Sequence, residues 1–274
     1  MTPWFLVFGW VILLPMLSAA ADASRRPVVL HAFQGRDART NGPFGSALRT
    51  LATHFDVRPV RAGDLAAVEV PTALWLNSFA STDEENPPTE PTPAPRLSVD
   101  DVLPWVARGG GLVVMAEKPP GNPGSTLARD LLRRLEIAQS SRKTGAKILR
   151  IPNSHPFLGG LAWSSPGFTL MDAPESPTLQ RLVLLPNDLS QFPLTPQAPD
   201  FAGLAMICGD FAEGRIALVA DARWPMEAPA HQASPAPESR RDHAVILLRL
   251  FQWVSRTATL ESPPSPSDRN APRP

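Results

Sequence analysis

The twenty residues from Ser98 to Glu117 constrain the fold of this chain more than any other segment. Ser98 begins a helix in the pattern of a capping box, because Asp101 follows three residues later and also suits the positive end of the helix dipole. Apolar residues then recur at helical spacing until the glycines at 109–111 stop the helix. The continuous apolar run 112–116 is typical of a strand that is covered on both faces. The segment therefore predicts an α/β fold with a buried sheet.

The remainder of the first half alternates strand and helix patterns, which predicts a mostly parallel sheet with right-handed crossovers and helices on both faces. The predicted strands are Val28–Phe33, Val57–Val60, Ala73–Leu76 and Leu112–Ala116. The predicted helices are Pro43–Phe55, the segment that begins at Ser98, and Ser125–Leu135.

The pattern changes after Glu136, where short strand-like segments are separated by prolines and polar turns. These segments are Lys147–Ile151, Phe168–Met171, Leu182–Leu185, Leu204–Cys208 and Arg215–Ala220, the last two joined by a hairpin-like connection at 209–214. We interpret this half as a β-rich C-terminal elaboration that returns to the main sheet. A last helix is predicted at Arg240–Arg256.

The two ends of the chain are predicted to lie outside the domain, which spans 27–256. Residues 1–23 are typical of a signal peptide or an N-terminal anchor: Met1–Ala21 has no charged side chain, and small residues permit cleavage after Ala21 or Ala23. The uncharged stretch is also about long enough to span a bilayer. We therefore expect export, to a periplasmic or a membrane-anchored position. Residues 257–274 are rich in proline and serine and are expected to form a disordered tail.

Charge and cysteine content exclude several classes of function. The chain has 26 basic and 26 acidic residues without long blocks of either sign, which argues against binding to nucleic acid or to an anionic membrane surface. The single cysteine, Cys208, excludes an intramolecular disulfide, and its apolar neighbours predict a buried structural thiol. No metal-binding motif occurs, and the glycines of 42–46 match no nucleotide-binding pattern. We expect no metal and no cofactor.

Several polar side chains follow the predicted strands at their carboxyl ends, where open α/β sheets bind ligands. They are His31, Gln34 and Arg36 after the first strand, Asn77 and Ser78 after the third, Glu117 after the fourth, and Asp221 and Arg223 after the returning strand. Such a set is able to hold a sugar or perform acid–base chemistry. The structural interpretation, which we place first, is that Asp221 and Glu117 cap helices, Arg36 pairs with one of them, and His31 is a partly buried core residue.

The order of these elements resembles the glutamine amidotransferase-like domains of unknown function in bacterial envelope proteins, including accessory subunits of gliding-type ABC transporters. The resemblance rests on the strand with His31, and on Ala73–Leu76, Leu97–Val114, Asn153–Leu161 and Gly214–Asp221, followed by a closing helix. It covers about residues 27–256 and implies a class I glutamine amidotransferase-like, flavodoxin-like fold.

The same resemblance implies that amidotransferase activity is lost. Class I amidotransferases hold a nucleophilic cysteine in a tight turn between a strand and a helix. The equivalent turn here, 114–118, contains no cysteine, no serine and no flanking glycine. The expected function is a non-catalytic binding or scaffold domain at the bacterial cell envelope, with a protein partner or a glycan as ligand. The alternative is a hydrolase that uses a strand-end cluster of His31, Glu117 and Asp221.

Overall fold

The computed structural model describes residues 26–33, 39, 41–61, 63–66, 71–78, 97–116, 126–143, 147–151, 157–165, 169–172, 182–183, 205–225 and 237–257. Within these ranges the chain forms eleven strands and four helices. The strands are β1 (Val28–His31), β2 (Asp56–Pro59), β3 (Thr72–Asn77), β4 (Gly111–Met115), β5 (Ala138–Lys143), β6 (Lys147–Arg150), β7 (Ala162–Ser165), β8 (Thr169–Asp172), β9 (Leu182–Val183), β10 (Met206–Phe211) and β11 (Gly214–Val219). The helices are α1 (Gly45–Ala52), α2 (Val99–Ala107), α3 (Thr126–Arg134) and α4 (Pro237–Val254).

A seven-stranded sheet in the order β2-β1-β3-β4-β11-β10-β9 forms the centre of the described fold. The first five strands in this order are parallel, whereas β10 is antiparallel to both of its neighbours. The strands β5 and β8 form a separate antiparallel pair, as do β6 and β7. The predicted α/β architecture with a mostly parallel sheet is therefore confirmed.

Helices cover both faces of this sheet. The connection from β1 to β2 runs towards one edge of the sheet and the connection from β3 to β4 towards the other, so two right-handed crossovers place their helices on opposite faces. We call the face that carries Trp75 the front face. Phe44, just before α1, and Phe251 of α4 both lie edge-on to the Trp75 ring, at 5.9 and 5.6 Å between ring centroids. Helix α2 packs on β11 and on α3. The strands β3 and β4 are buried along their whole length, as a doubly covered sheet requires.

The start of α2 has the capping box that the sequence predicts. The Ser98 hydroxyl accepts a hydrogen bond from the Asp101 amide at 3.2 Å, and the Asp101 carboxylate accepts one from the Ser98 amide at 2.9 Å. The Ser98 hydroxyl also donates to the Asp101 carboxylate at 2.6 Å, and this bond, together with the one from the Ser98 amide, holds the pKa of that carboxyl below its usual range. The amides of Ser98 and Asp101 are therefore both partnered at the start of α2.

The structure corrects several predicted boundaries. The β10–β11 connection is a two-residue turn, Ala212–Glu213, instead of the predicted 209–214. Both strands are longer at this end than predicted, because the polar residues Asp210 and Arg215 lie opposite each other in the ladder. The Arg215 Nε atom lies 3.2 Å from Asp210 Oδ1. Helix α4 starts at Pro237 rather than at Arg240, since proline fits a first helical position.

Two strands, β5 and β7, were not predicted. Strand β5 pairs with β8, and β7 pairs with β6. Both pairs are antiparallel, and their segments are short and partly polar. Cys208 of β10 is fully buried, which confirms the predicted structural environment of the thiol, and burial raises its pKa.

The predicted N-terminal segment 1–23, the proline-rich stretch 83–96 and most of the tail at 257–274 lie outside the described residues. The proposed limits of the domain therefore stay predictions. Within the described ranges, no helix combines the length and the apolar character that crossing a membrane requires.

Candidate functional site

The carboxyl end of the parallel sheet brings together the ends of four strands. There β1, β3, β4 and β11 finish at His31, Asn77, Met115 and Val219. The strand order 2-1-3-4 reverses direction between β1 and β3, and open α/β sheets bind ligands beside such a reversal. His31 and Asn77 therefore flank the position where the topology favours a ligand.

His31 is almost completely buried, with 3% of its surface exposed. Its ring lies 5.0 Å from the ring of Phe33, which in turn stacks on Phe44 and meets the edge of Trp75. The Nδ1 atom is buried and has no hydrogen-bond partner. Burial lowers the pKa of this imidazole to about 4, because a charged ring would lose its hydration among these neighbours. His31 is therefore neutral at pH 7, and it is more deeply buried than the sequence predicts.

Asn77 closes the sheet over the end of β4. Its side-chain Nδ2 donates a 2.7 Å hydrogen bond to the backbone oxygen of Ala222, in a buried position. Asn77 ends β3 and Ala222 follows β11, and β4 lies between these two strands. The residue that follows β4, Ala116, donates its amide to the backbone oxygen of Val219 at 2.9 Å and is 3% exposed. The first residue after β4 is thus buried.

The carboxylate of Asp221 organises the turn that follows β11. It is fully buried, and its Oδ1 accepts hydrogen bonds from the amides of Arg223 at 2.8 Å and Trp224 at 3.0 Å. These two amides belong to the turn of Asp221 itself, as short acidic side chains favour, and the predicted role of Asp221 as a helix cap stays a prediction. This arrangement fixes the turn from which Ala222 reaches Asn77.

The structure does not bring His31 and Asp221 together. Their strands β1 and β11 are separated by β3 and β4, and three strand spacings amount to about 14 Å. This distance prevents direct proton transfer between the two side chains. Arg223 lies half-buried at the same end of the sheet as Asp221. Three other candidates, Gln34, Arg36 and Glu117, lie outside the described residues.

Sequence reasoning missed Trp224, which anchors the turn after β11. Its buried ring lies edge-on to Trp163 of β7 at 6.4 Å and to His243 of α4 at 5.6 Å. His243 lies in the second turn of α4, which begins at Pro237. The sequence did contain a signal for this residue, because Trp224 follows the strand-end aspartate Asp221 by three positions. No group of three or more potential metal ligands is present among the described residues.

The turn role of Asp221 predicts a difference between two substitutions. Asp221→Ala should lower the free energy of unfolding by about 2 kcal/mol, because two buried amides lose their acceptor. Asp221→Asn should lower it by about half as much or less, since an amide oxygen still accepts both bonds. Urea denaturation at pH 7 measures both values. Equal losses in the two variants would contradict the turn role.

The comparisons with known proteins concern the fold. No protein-family model matches the chain, and no curated protein matches it in sequence. Among solved structures, the chain resembles the "mmIFT52 N-terminal domain" with a TM-score of 0.55 and 11% identity, over 83% of this chain and 97% of that one. Two further structures are a cytoplasmic protein from Salmonella typhimurium and a ThuA-like protein from Parabacteroides merdae. The first has a TM-score of 0.49 and 13% identity over 84% of this chain and 98% of that one. The second has a TM-score of 0.41 and 15% identity over 88% and 94%. At these identities the likeness concerns the fold alone, and the first match shows that this α/β fold occurs in a solved structure.

Proposed function

We propose that the chain is a non-catalytic binding domain of the class I glutamine amidotransferase-like type. The observation that carries the proposal is the buried hydrogen bond from Asn77 to Ala222 over the end of β4. Acyl-transfer chemistry in this fold needs an exposed nucleophile at that position, next to donors for the oxyanion. Here the residue is Ala116, it is buried, and no cysteine or serine occurs from 114 to 118. The β-rich second half is interpreted as an elaboration of that fold.

The other polar groups at this end of the sheet also support binding rather than catalysis. Asp221 already accepts two backbone hydrogen bonds, and His31 is about 14 Å away on another strand. The only cysteine, Cys208, is buried in β10, where burial raises its pKa and suppresses the nucleophilic thiolate. A hydrolase built on His31, Glu117 and Asp221 would need these groups to act on one substrate atom, which the strand order disfavours.

The cellular setting is part of the proposal and comes from the sequence. The uncharged segment Met1–Ala21 and the small residues after it favour export to the bacterial envelope. There the domain would bind a protein partner or a glycan at the carboxyl end of its sheet. A balanced formal charge favours neutral or weakly charged ligands over polyanions.

An activity assay tests the proposal. The purified protein should release no ammonia from glutamine and no product from a panel of ester and glycoside substrates. The variants His31→Ala and Asp221→Asn are assayed beside it, with melting temperatures as a check on folding. The proposal fails if the wild-type protein turns over a substrate and both folded variants lose that turnover.

A further inference from the structure

Asn41 and Gly42 form the one Asn-Gly pair in the sequence. They lie in the turn before α1, and the side chain of Asn41 is exposed. Asparagine is a thermolabile residue, because the next backbone nitrogen is able to attack its side-chain carbonyl carbon. Glycine in the next position removes the Cβ atom that would crowd this nitrogen. The pair therefore combines a turn sequence with the least hindered form of this reaction.

One hydrogen bond opposes the attack. The Gly42 amide donates to the backbone oxygen of Arg39 at 2.9 Å, and this bond must open before the nitrogen reacts. Arg39 and Asn41 are both exposed, so the bond lies at the surface, where local opening costs least. A single neutral hydrogen bond of this kind slows the reaction by about tenfold or less. The turn therefore retards the attack without preventing it.

Asn77 provides a comparison within the same chain. Its side chain is buried, and its Nδ2 atom donates to the backbone oxygen of Ala222 at 2.7 Å. The next residue, Ser78, has a Cβ atom and donates its amide to the oxygen of Met115 at 2.9 Å. The same attack at Asn77 therefore requires the loss of bonds between strand ends, whereas at Asn41 it requires the loss of one local turn bond.

We propose that Asn41 deamidates spontaneously in the folded protein, through local opening of the Arg39–Gly42 turn. The Gly42 nitrogen loses its proton to solvent and forms a bond to Asn41 Cγ. The Asn41 Nδ2 atom takes up a proton and leaves as ammonia, which closes a succinimide ring. Water then opens the ring: cleavage of the nitrogen bond to Cγ gives aspartate, and cleavage of the bond to the main-chain carbonyl carbon gives isoaspartate. One water is consumed in total for each ammonia released, and no electrons are transferred.

The isoaspartate product disturbs the start of α1, because it adds a methylene group to the main chain shortly before Phe44. Phe44 is fully buried, and its ring stacks on the ring of Phe33 at 4.7 Å. The Gly45 amide donates to the oxygen of Gly42 at 2.9 Å and closes the turn. A longer main chain must break this bond or displace Phe44. The isoaspartate form should therefore melt at least about 2 °C below the unmodified protein.

The test is incubation of the purified protein at mildly alkaline pH, followed by peptide mass spectrometry and ammonia detection. We expect Asn41 to convert to the two acids, with at most one ammonia per chain, while Asn77 keeps its amide. Gly42→Ala should slow the conversion at least about tenfold, because its Cβ atom crowds the attacking nitrogen. Asn41→Gln, a change at an exposed position, should release no ammonia, since its longer side chain would have to close a larger ring. An intact Asn41, an equal rate at Asn77, or an undiminished rate in Gly42→Ala would overturn the inference.

Two further comparisons test the local opening and the isoaspartate product. Asp221→Ala lowers global stability from the other side of the sheet and should convert Asn41 at the wild-type rate, with Asp221→Asn as the milder substitute. A reaction of the unfolded chain would instead accelerate by up to about thirtyfold, which would contradict local opening. The separated isoaspartate fraction should melt below the wild type, whereas Asn41→Asp should melt within about 1 °C of it. Equal melting of all three would contradict the predicted disturbance of the turn. These outcomes do not bear on the absence of turnover, because one ammonia per chain is not catalysis.

Discussion

Gly214→Ala is expected to lower the free energy of unfolding by at least about 3 kcal/mol, a large loss for the addition of one methyl group. Gly214 opens β11 beside the end of α2, and a Cβ atom there would overlap the backbone oxygens of Val106 and Gly110. Backbone atoms held by a helix end and a strand start have no rotamer to move into, so the hairpin must shift. Urea denaturation of the variant measures the loss.

Glu213→Ala is the matched control for this effect. Glu213 precedes Gly214 in the same turn, and its side chain is exposed. Removing an exposed side chain should change the free energy of unfolding by about 0.5 kcal/mol or less. A Gly214→Ala protein as stable as the Glu213→Ala protein would show that the hairpin does not pack against α2 as described.

Acid should destabilise the protein through His31. The pKa of this imidazole is about 4 in the folded state, below its ordinary value of 6.5. The unfolded chain therefore binds the proton first as the pH falls, and stability that is complete above pH 6.5 decreases towards pH 4. A difference of this size corresponds to about 3 kcal/mol. Urea denaturation from pH 7 to pH 4 should show this loss in the wild type, beyond that in His31→Phe.

His31→Phe is the control for the acid effect, because a phenyl ring of similar size takes up no proton. If His31→Phe and the wild type lose the same free energy between pH 7 and pH 4, the buried neutral state of His31 is wrong.

Local patterns predicted the elements whose stability comes from neighbouring residues. The Ser98–Asp101 capping box and the apolar run of β4 were both readable because each depends on contacts within a few positions. The parallel core also followed from strand and helix lengths. Strands β5 and β7 were not predicted, because their extended conformation depends on pairing with β8 and β6 rather than on their own composition.

The candidate site was predictable as a set of positions but not as a geometry. Strand-end residues could be identified, yet the bond from Asn77 to Ala222 joins residues 145 positions apart, and no local pattern reports it. The alternative hypothesis of a cluster of His31, Glu117 and Asp221 could not be judged from the sequence, because it depends on the strand order, which places two strands between β1 and β11.

The reactivity of a thiol introduced by Ala116→Cys tests the central claim most directly. Position 116 lies in the segment 114–118, which the resemblance to amidotransferases makes equivalent to the nucleophile turn, and the only native cysteine is buried in β10. We expect a small disulfide reagent to modify the introduced thiol slowly in the folded protein and rapidly after denaturation, because Ala116 is only 3% exposed. Rapid modification of the folded protein at neutral pH, with a lowered thiol pKa, would contradict it and reveal an open catalytic position at the end of β4.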